Sequence, residues 1–224
     1  MRVPSRRVES TDMDEKNISV LLEPFVGAAG LSSRQLEQVS AYLTLLVKWN
    51  AKMNLTAVRE PQEMVSRHFG ESFFAARLLV RDANVRSAID LGSGAGFPGM
   101  PLAIYAPEIS VTLIESQNKK ATFLKEVARA LELKNVKVFN GRGEEFKEKT
   151  DLVTLRAVEK FEDAAKIAEK LVADGGRLAM LIGEAQMARA KELLPEFEWK
   201  VAEAVPKSAA RALFVGNRRR NQDG

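Results

Sequence analysis

Hydrophobic positions in the first third of the chain recur at helical spacing. Ile18 to Ala28, closed by Gly30, reads as a first helix. Ser32 and Gln35 have the spacing of a capping box. Behind them Leu36, Val39, Leu43, Leu46 and Val47 form one apolar stripe. Pro61 suits the first turn of another helix, whose buried face is Met64, Val65, Phe69, Phe73 and Ala76. After Asn84 short apolar runs alternate with amphipathic stretches. Strands are predicted at Ser87–Leu91, Val111–Glu115, Val136–Asn140, Asp151–Arg156 and Arg177–Ile182. Helices are predicted at Pro98–Tyr105, Lys119–Leu131, Phe161–Val172 and Glu184–Leu194, with a turn at Gly175-Gly176. The last strands, near Trp199–Val205 and Arg211–Gly216, are joined too tightly for a parallel crossover and pair antiparallel. This alternation predicts an α/β fold: a doubly wound, mostly parallel seven-stranded sheet with an antiparallel C-terminal hairpin and an N-terminal helical extension. It divides the chain into a tail (1–16), a helical region (17–84), a ligand-binding core (85–217) and a basic tail (218–224).

Composition narrows the chemistry. The chain has 224 residues, 46% hydrophobic and 29% charged, which suits one sizeable soluble domain. Nothing approaches the roughly 18 consecutive apolar residues of a membrane-spanning helix. The first 16 residues lack the apolar core of a signal peptide, so a cytoplasmic location is expected. There is no cysteine and one histidine, His68. Disulfides, thiolate zinc sites, cysteine nucleophiles and histidine metal cages are thereby excluded, and no bound metal is expected. The net charge of +4 favours an anionic partner such as nucleic acid.

The most specific feature is the loop after the first predicted strand, Asp90-Leu91-Gly92-Ser93-Gly94-Ala95-Gly96-Phe97. Glycines permit φ > 0 and close approach of the backbone to a ligand. Ligands in such sheets bind at the carboxyl ends of the strands, where strand order reverses. A dinucleotide loop would need glycine at position 97, where this chain has Phe97, and no P-loop lysine follows. S-adenosylmethionine lacks a pyrophosphate and carries an ammonium and a sulfonium, which suits an acid at Asp90. Glu115, ending the second strand, stands where ribose hydroxyls are held. A tight turn without ligand and an NAD site are the alternatives to this S-adenosylmethionine reading.

Absences then bear on the substrate. Methylating C5 of a pyrimidine requires a cysteine nucleophile, which is missing. Exocyclic base amines are usually held by a polar-Pro-Pro-aromatic tetrapeptide after the fourth strand. Here that position reads Thr154-Leu155-Arg156-Ala157. What remains is a target already nucleophilic, such as N7 of guanine, for which positioning and desolvation suffice without a general base.

Several motifs in order resemble one family. They are the segment Asn50 to Thr56, Arg67-His68, Asp90 to Pro101, Leu113 to Ser116, Lys119-Lys120 and Arg156-Ala157. Together they resemble the ribosomal RNA small subunit methyltransferase G family, also called glucose-inhibited division protein B, from about Leu31 to Gly216. The resemblance implies a Rossmann-like class I methyltransferase that modifies guanine N7 in the decoding-region loop of 16S ribosomal RNA. The substrate would be 16S ribosomal RNA or the small subunit, and the enzyme a monomer. It also implies that Gly92 and Phe97 line the cofactor pocket, that Gly143-Glu144 flank the adenine and that Arg156 closes the site. The chain departs from the family pattern at Glu71, where aspartate is usual, and at Gly143, where alanine is common.

Other residues carry two readings each. Arg156 clamps either the cofactor carboxylate or an RNA phosphate. His68 either contacts the target base or is packed and satisfied on its helix. Asn54 either contacts RNA with Asn50 or simply stops a helix. Arg67, Lys119, Lys120 and Arg142 are candidate RNA contacts, against solvated cations. Arg218, Arg219 and Arg220 suit phosphate contact, against a solvated terminus. An NAD-dependent reductase and a non-catalytic RNA- or ribosome-binding module are the competing functions.

Overall fold

Asp14 accepts a hydrogen bond from the Asn17 amide at 2.7 Å and caps the first helix, α1 (Glu15–Val26). The helix therefore begins three residues before the apolar pattern and stops at Gly27, φ 72°, rather than at Gly30. The computed structural model describes residues 13–81, 85–208 and 210–220. Most of the predicted tail at 1–16 lies outside the described residues. The reciprocal Ser32–Gln35 capping box opens α2 (Ser33–Met53) as expected, and Asn54, in the left-handed region at φ 46°, ends it.

Pro61 takes the first turn of α3 (Pro61–Met64). The single helix predicted from here on is interrupted. Val65–Gly70 widens into a π-helix before α4 (Glu71–Val80) resumes. Such widened turns frequently mark functional sites.

The strands are β1 (Ser87–Leu91), β2 (Ser110–Ile114), β3 (Val136–Phe139), β4 (Thr150–Arg156), β5 (Val172–Ile182), β6 (Phe197–Trp199), β7 (Glu203–Ala204) and β8 (Ala212–Arg218). They form one sheet in the order β3-β2-β1-β4-β5-β8-β6, with β7 also on β8. Strands β1 to β5 pair in parallel, and β8 runs antiparallel to β5. The sheet has eight strands, not seven, because the segment predicted as one strand near Trp199 breaks into β6 and β7. Gly175-Gly176, expected as a turn between elements, lies within β5, where pairing with β4 shifts from Thr150↔Val172 to Leu152↔Arg177.

Helices α5 (Gly99–Tyr105), α6 (Asn118–Ala130), α7 (Phe161–Leu171) and α8 (Glu184–Leu193) follow β1, β2, β4 and β5. Two apolar clusters sandwich the sheet. One joins Val111 and Leu113 to Phe123 of α6 and to Tyr42 and Phe73 of the N-terminal helices. The other joins Ile89, Val153 and Leu178 to Ala165 and Ala190 of α7 and α8. Strand order reverses between β1 and β4, so the carboxyl ends of these two strands open the crevice where such sheets bind ligands.

The end of the chain departs from expectation. Arg218 belongs to β8, and its Nη1 donates to the carbonyls of Glu169 (2.6 Å) and Val172 (3.2 Å). Its guanidinium also lies 3.7 Å from Asp174. It is part of the fold rather than a free cation offered to phosphate. Residues 221–224 of the predicted tail lie outside the described residues.

Candidate functional site

A cleft of about 490 Å³ opens at the switch point. One wall is the glycine loop with Glu115. The facing wall is the segment Leu55 to Val58, with Arg67 and His68 from the π-helix, and Arg156 and Arg211 lie along it.

The three glycines of the loop divide by role. At Gly92, φ +71°, a methyl group would meet only Val158, at 3.5 Å; at Gly94, φ +56°, only the Gly92 carbonyl, at 3.8 Å. Both positions face open space that a side chain would fill, which is what a backbone cradle for a ligand requires. Gly96, φ +93°, faces protein instead: a methyl there would run into the Tyr42 hydroxyl and Leu124. Tyr42, buried on α2, donates a hydrogen bond to the Ala95 carbonyl. Gly96 is therefore a packing glycine for the N-terminal layer.

Glu115 sits on the cleft with both oxygens engaged, accepting from the Gly94 amide at 2.9 Å and the Gln117 amide at 2.8 Å. Each oxygen retains a lone pair for a ligand hydroxyl. Asp90 is placed differently. It is 1% exposed and turned beneath the loop, accepting from Thr154 Oγ1 (2.7 Å) and the Gly99 amide (3.2 Å). Burial pushes its carboxyl up to about 6 despite these bonds. Ser93 donates to the Asp90 carbonyl at 2.8 Å and fixes the turn. Asp90 thus shapes the loop and does not line the cleft.

Phe97 is the hinge between the layers. Its ring stacks on Tyr42 (5.3 Å, 4°) and His68 (5.1 Å, 30°) and meets Phe69 edge-on. The Arg156 guanidinium lies 5.9 Å above the same ring. The two protons of its Nη2 go to Glu71 (3.0 Å) and the Arg67 carbonyl (2.7 Å), and the same nitrogen lies 3.1 Å from His68 Nδ1. Glu71, 4% exposed, also takes Arg211 at 2.8 Å. Burial, reinforced by Arg156, Arg67 and Arg211, drives the His68 imidazole down to about 3. His68 is packed and satisfied on its helix, and it also lines the cleft. Arg156 Nε is buried without a hydrogen-bond partner.

Other predicted residues are dispersed. Arg67 and Lys120 line the cleft; Lys119, Arg142 and Asn54 are exposed outside it. Asn54 caps α2 and accepts from Arg59 at 2.6 Å. Asn50 ties down the next loop, accepting from the Thr56 amide and donating to the Val58 carbonyl. Gly143 and Glu144 do not line the cleft. Gly143 is buried where a methyl would meet Leu91 at 2.6 Å and Ile167 at 2.8 Å, and Glu144 is exposed. Sequence reading missed Tyr42, Thr56 and Arg211. A signal did exist for Glu71, a lone acid in an aromatic run, because a buried carboxylate needs a cation.

Among solved structures the fold is similar to M. jannaschii TYW2 in complex with AdoMet, at 18% identity and TM-score 0.53, covering 66% of this chain and 76% of that one. It is also similar to the Methanococcus jannaschii fibrillarin pre-rRNA processing protein, at 18% identity and TM-score 0.52, covering 61% and 68%. The fold and its cleft define a Rossmann-like, doubly wound α/β protein with its ligand crevice at the switch point. Residues 35–213 match the family model GidB, rRNA small subunit methyltransferase G, and the chain belongs to that family. Ribosomal RNA small subunit methyltransferase G of Stenotrophomonas maltophilia (strain K279a) is 38% identical over 194 residues, 86% of this chain and 89% of the relative. The protein of that name from Lachnoclostridium phytofermentans is 41% identical over 155 residues, 65% of this chain but only 62% of the relative.

Proposed function

We propose that the protein transfers the methyl group of S-adenosylmethionine to N7 of a guanine in the decoding-region loop of 16S ribosomal RNA, acting as a cytoplasmic monomer. The cofactor supplies an electrophilic methyl on its sulfonium. Gly92 and Gly94 leave the space its backbone contacts require, and Glu115 offers acceptors at the end of β2.

The observation that carries the reading is that no desolvated, unpaired base lines the cleft among the described residues. Of its lining acids, Glu115 is tied to two amides, and Glu159 is exposed on the rim. His68 is neutral with both ring nitrogens engaged. Such a site suits a nucleophile with a lone pair and no proton to lose, and guanine N7 is one. The work left to the protein is positioning and exclusion of water. Arg67, Lys120, Arg156 and Arg211 give the cleft a cationic lining against the RNA backbone.

Labelled S-adenosylmethionine and small subunits lacking the modification test the reading. Mass mapping is expected to find the label on one guanine N7. Label on cytosine only, or on protein, overturns it.

A further inference from the structure

Thr56 belongs to the wall of the cleft supplied by the loop after α2, and its hydroxyl is held in one hydrogen-bonding polarity. A guanidinium has no acceptor, so an N–H on His68 Nδ1, 3.1 Å from Arg156 Nη2, would face another donor, and the tautomer with a lone pair on Nδ1 is the compatible one. The neutral ring then carries its proton on Nε2, 2.7 Å from Thr56 Oγ1, and donates to it. The Val58 amide donates to the same oxygen at 3.1 Å. A hydroxyl has two acceptor positions and one proton. Both acceptor positions are filled, so Thr56 has only its proton to offer, and no described residue accepts it.

A hydroxyl locked as a donor reads acceptors. The edge of guanine that carries N7 presents one other acceptor, O6, whereas adenine presents an amine donor at that place. When N7 is the attacking atom, O6 is the group left on that edge for the protein to hold. We infer that Thr56 determines base specificity, donating its hydroxyl proton to O6 of the target guanine and so admitting guanine and rejecting adenine. This role rests on the guanine-N7 reading. It is selection and orientation rather than charge stabilisation, because the ring becomes positive as N7 is methylated. Arg156 and His68 act through Thr56: together they set which way its proton is offered.

The test uses small subunits reconstituted with RNA carrying either guanine or 2-aminopurine, which keeps N7 and lacks O6, at the target position. The wild-type protein is expected to show kcat/KM lower by about 10–100-fold on 2-aminopurine. Thr56→Val is expected to lose a similar factor on guanine beyond whatever it loses on 2-aminopurine. Thr56→Ser keeps the wild-type preference. In calorimetry, Thr56→Val is expected to bind S-adenosylmethionine as the wild type does. The comparison cancels any loss from the two donors that valine leaves unsatisfied, since both substrates suffer it equally. Equal wild-type rates on the two bases, or the same factor lost by Thr56→Val on both, overturns the inference while guanine-N7 transfer stands. A wild-type product methylated at another atom overturns the N7 reading and the inference with it.

Discussion

Glu71 and Arg156 meet at 3.0 Å with only 5% and 6% of their side chains exposed, and the same Glu71 oxygen also holds Arg211 at 2.8 Å. One carboxylate from α4 therefore ties the end of β4 and the residue just before β8 to the helical layer. Removing it strands two cations, one of them buried. Glu71→Ala is expected to cost about 3–5 kcal/mol, the range for breaking a buried pair by deleting one partner. Urea denaturation at constant m-value measures it. A variant as stable as the wild type would mean that the pair adds nothing net.

The loop glycines separate two kinds of loss. Gly92→Ala places a methyl in the open cleft, so S-adenosylmethionine affinity is expected to fall at least about tenfold. Stability should drop by only about 1–2 kcal/mol, from the left-handed backbone. Gly96→Ala drives a methyl into Tyr42 and Leu124 and adds about 1–3 kcal/mol of overpacking to the same strain. Calorimetry and thermal melts on both variants distinguish them. Loss of affinity without loss of stability at Gly96 would contradict the packing role.

Tyr42→Phe keeps the stack on Phe97 and deletes the hydrogen bond to the Ala95 carbonyl. The buried carbonyl is left without that donor, at about 1–2 kcal/mol. Because Ala95 lies between Gly94 and Gly96, the cofactor cradle loses a tether. Affinity for S-adenosylmethionine is expected to weaken about threefold to tenfold. An unchanged dissociation constant would confine Tyr42 to stability.

The fold was legible in the sequence wherever period and punctuation agreed. Ser87–Leu91 as a strand, the Ser32–Gln35 box and Pro61 at a helix start were all readable locally. The π-helix was not, because Val65–Gly70 has ordinary helical composition. The loop announced a ligand, yet not which glycines touch it. Gly92 and Gly96 differ in what α2 and α6 bring against them, Tyr42 and Leu124 at Gly96 and neither at Gly92. Asp90 looked like a ligand-facing acid because its spacing is right, but alternation along β1 turns it away from Ile89 and Leu91 and under the loop. Arg211, far along the chain from Glu71, gave no local signal at all.

His68 and Asp90 are shifted in opposite directions, and their effects on stability oppose each other in one pH window. The native His68 titrates near 3, below its ordinary 6.5, so the native state binds fewer protons than the unfolded chain. Its contribution is present above 6.5 and is lost as the pH falls toward 3. The native Asp90 titrates near 6, above 3.8, so its contribution is full below 3.8 and is lost as the pH rises through 6. Between pH 7 and 4 the change amounts to about 3 kcal/mol for His68 and about 2 kcal/mol for Asp90, with opposite sign. His68→Gln retains an acceptor for Arg156 and a donor for Thr56 but does not titrate. The stability advantage of the wild type over His68→Gln is expected to shrink by about 3 kcal/mol from pH 7 to pH 4. Its advantage over Asp90→Asn is expected to grow by about 2 kcal/mol. Chemical denaturation across that range reads both differences. Parallel pH profiles for wild type and His68→Gln would show that the imidazole does not titrate between the folded and unfolded states as its burial requires.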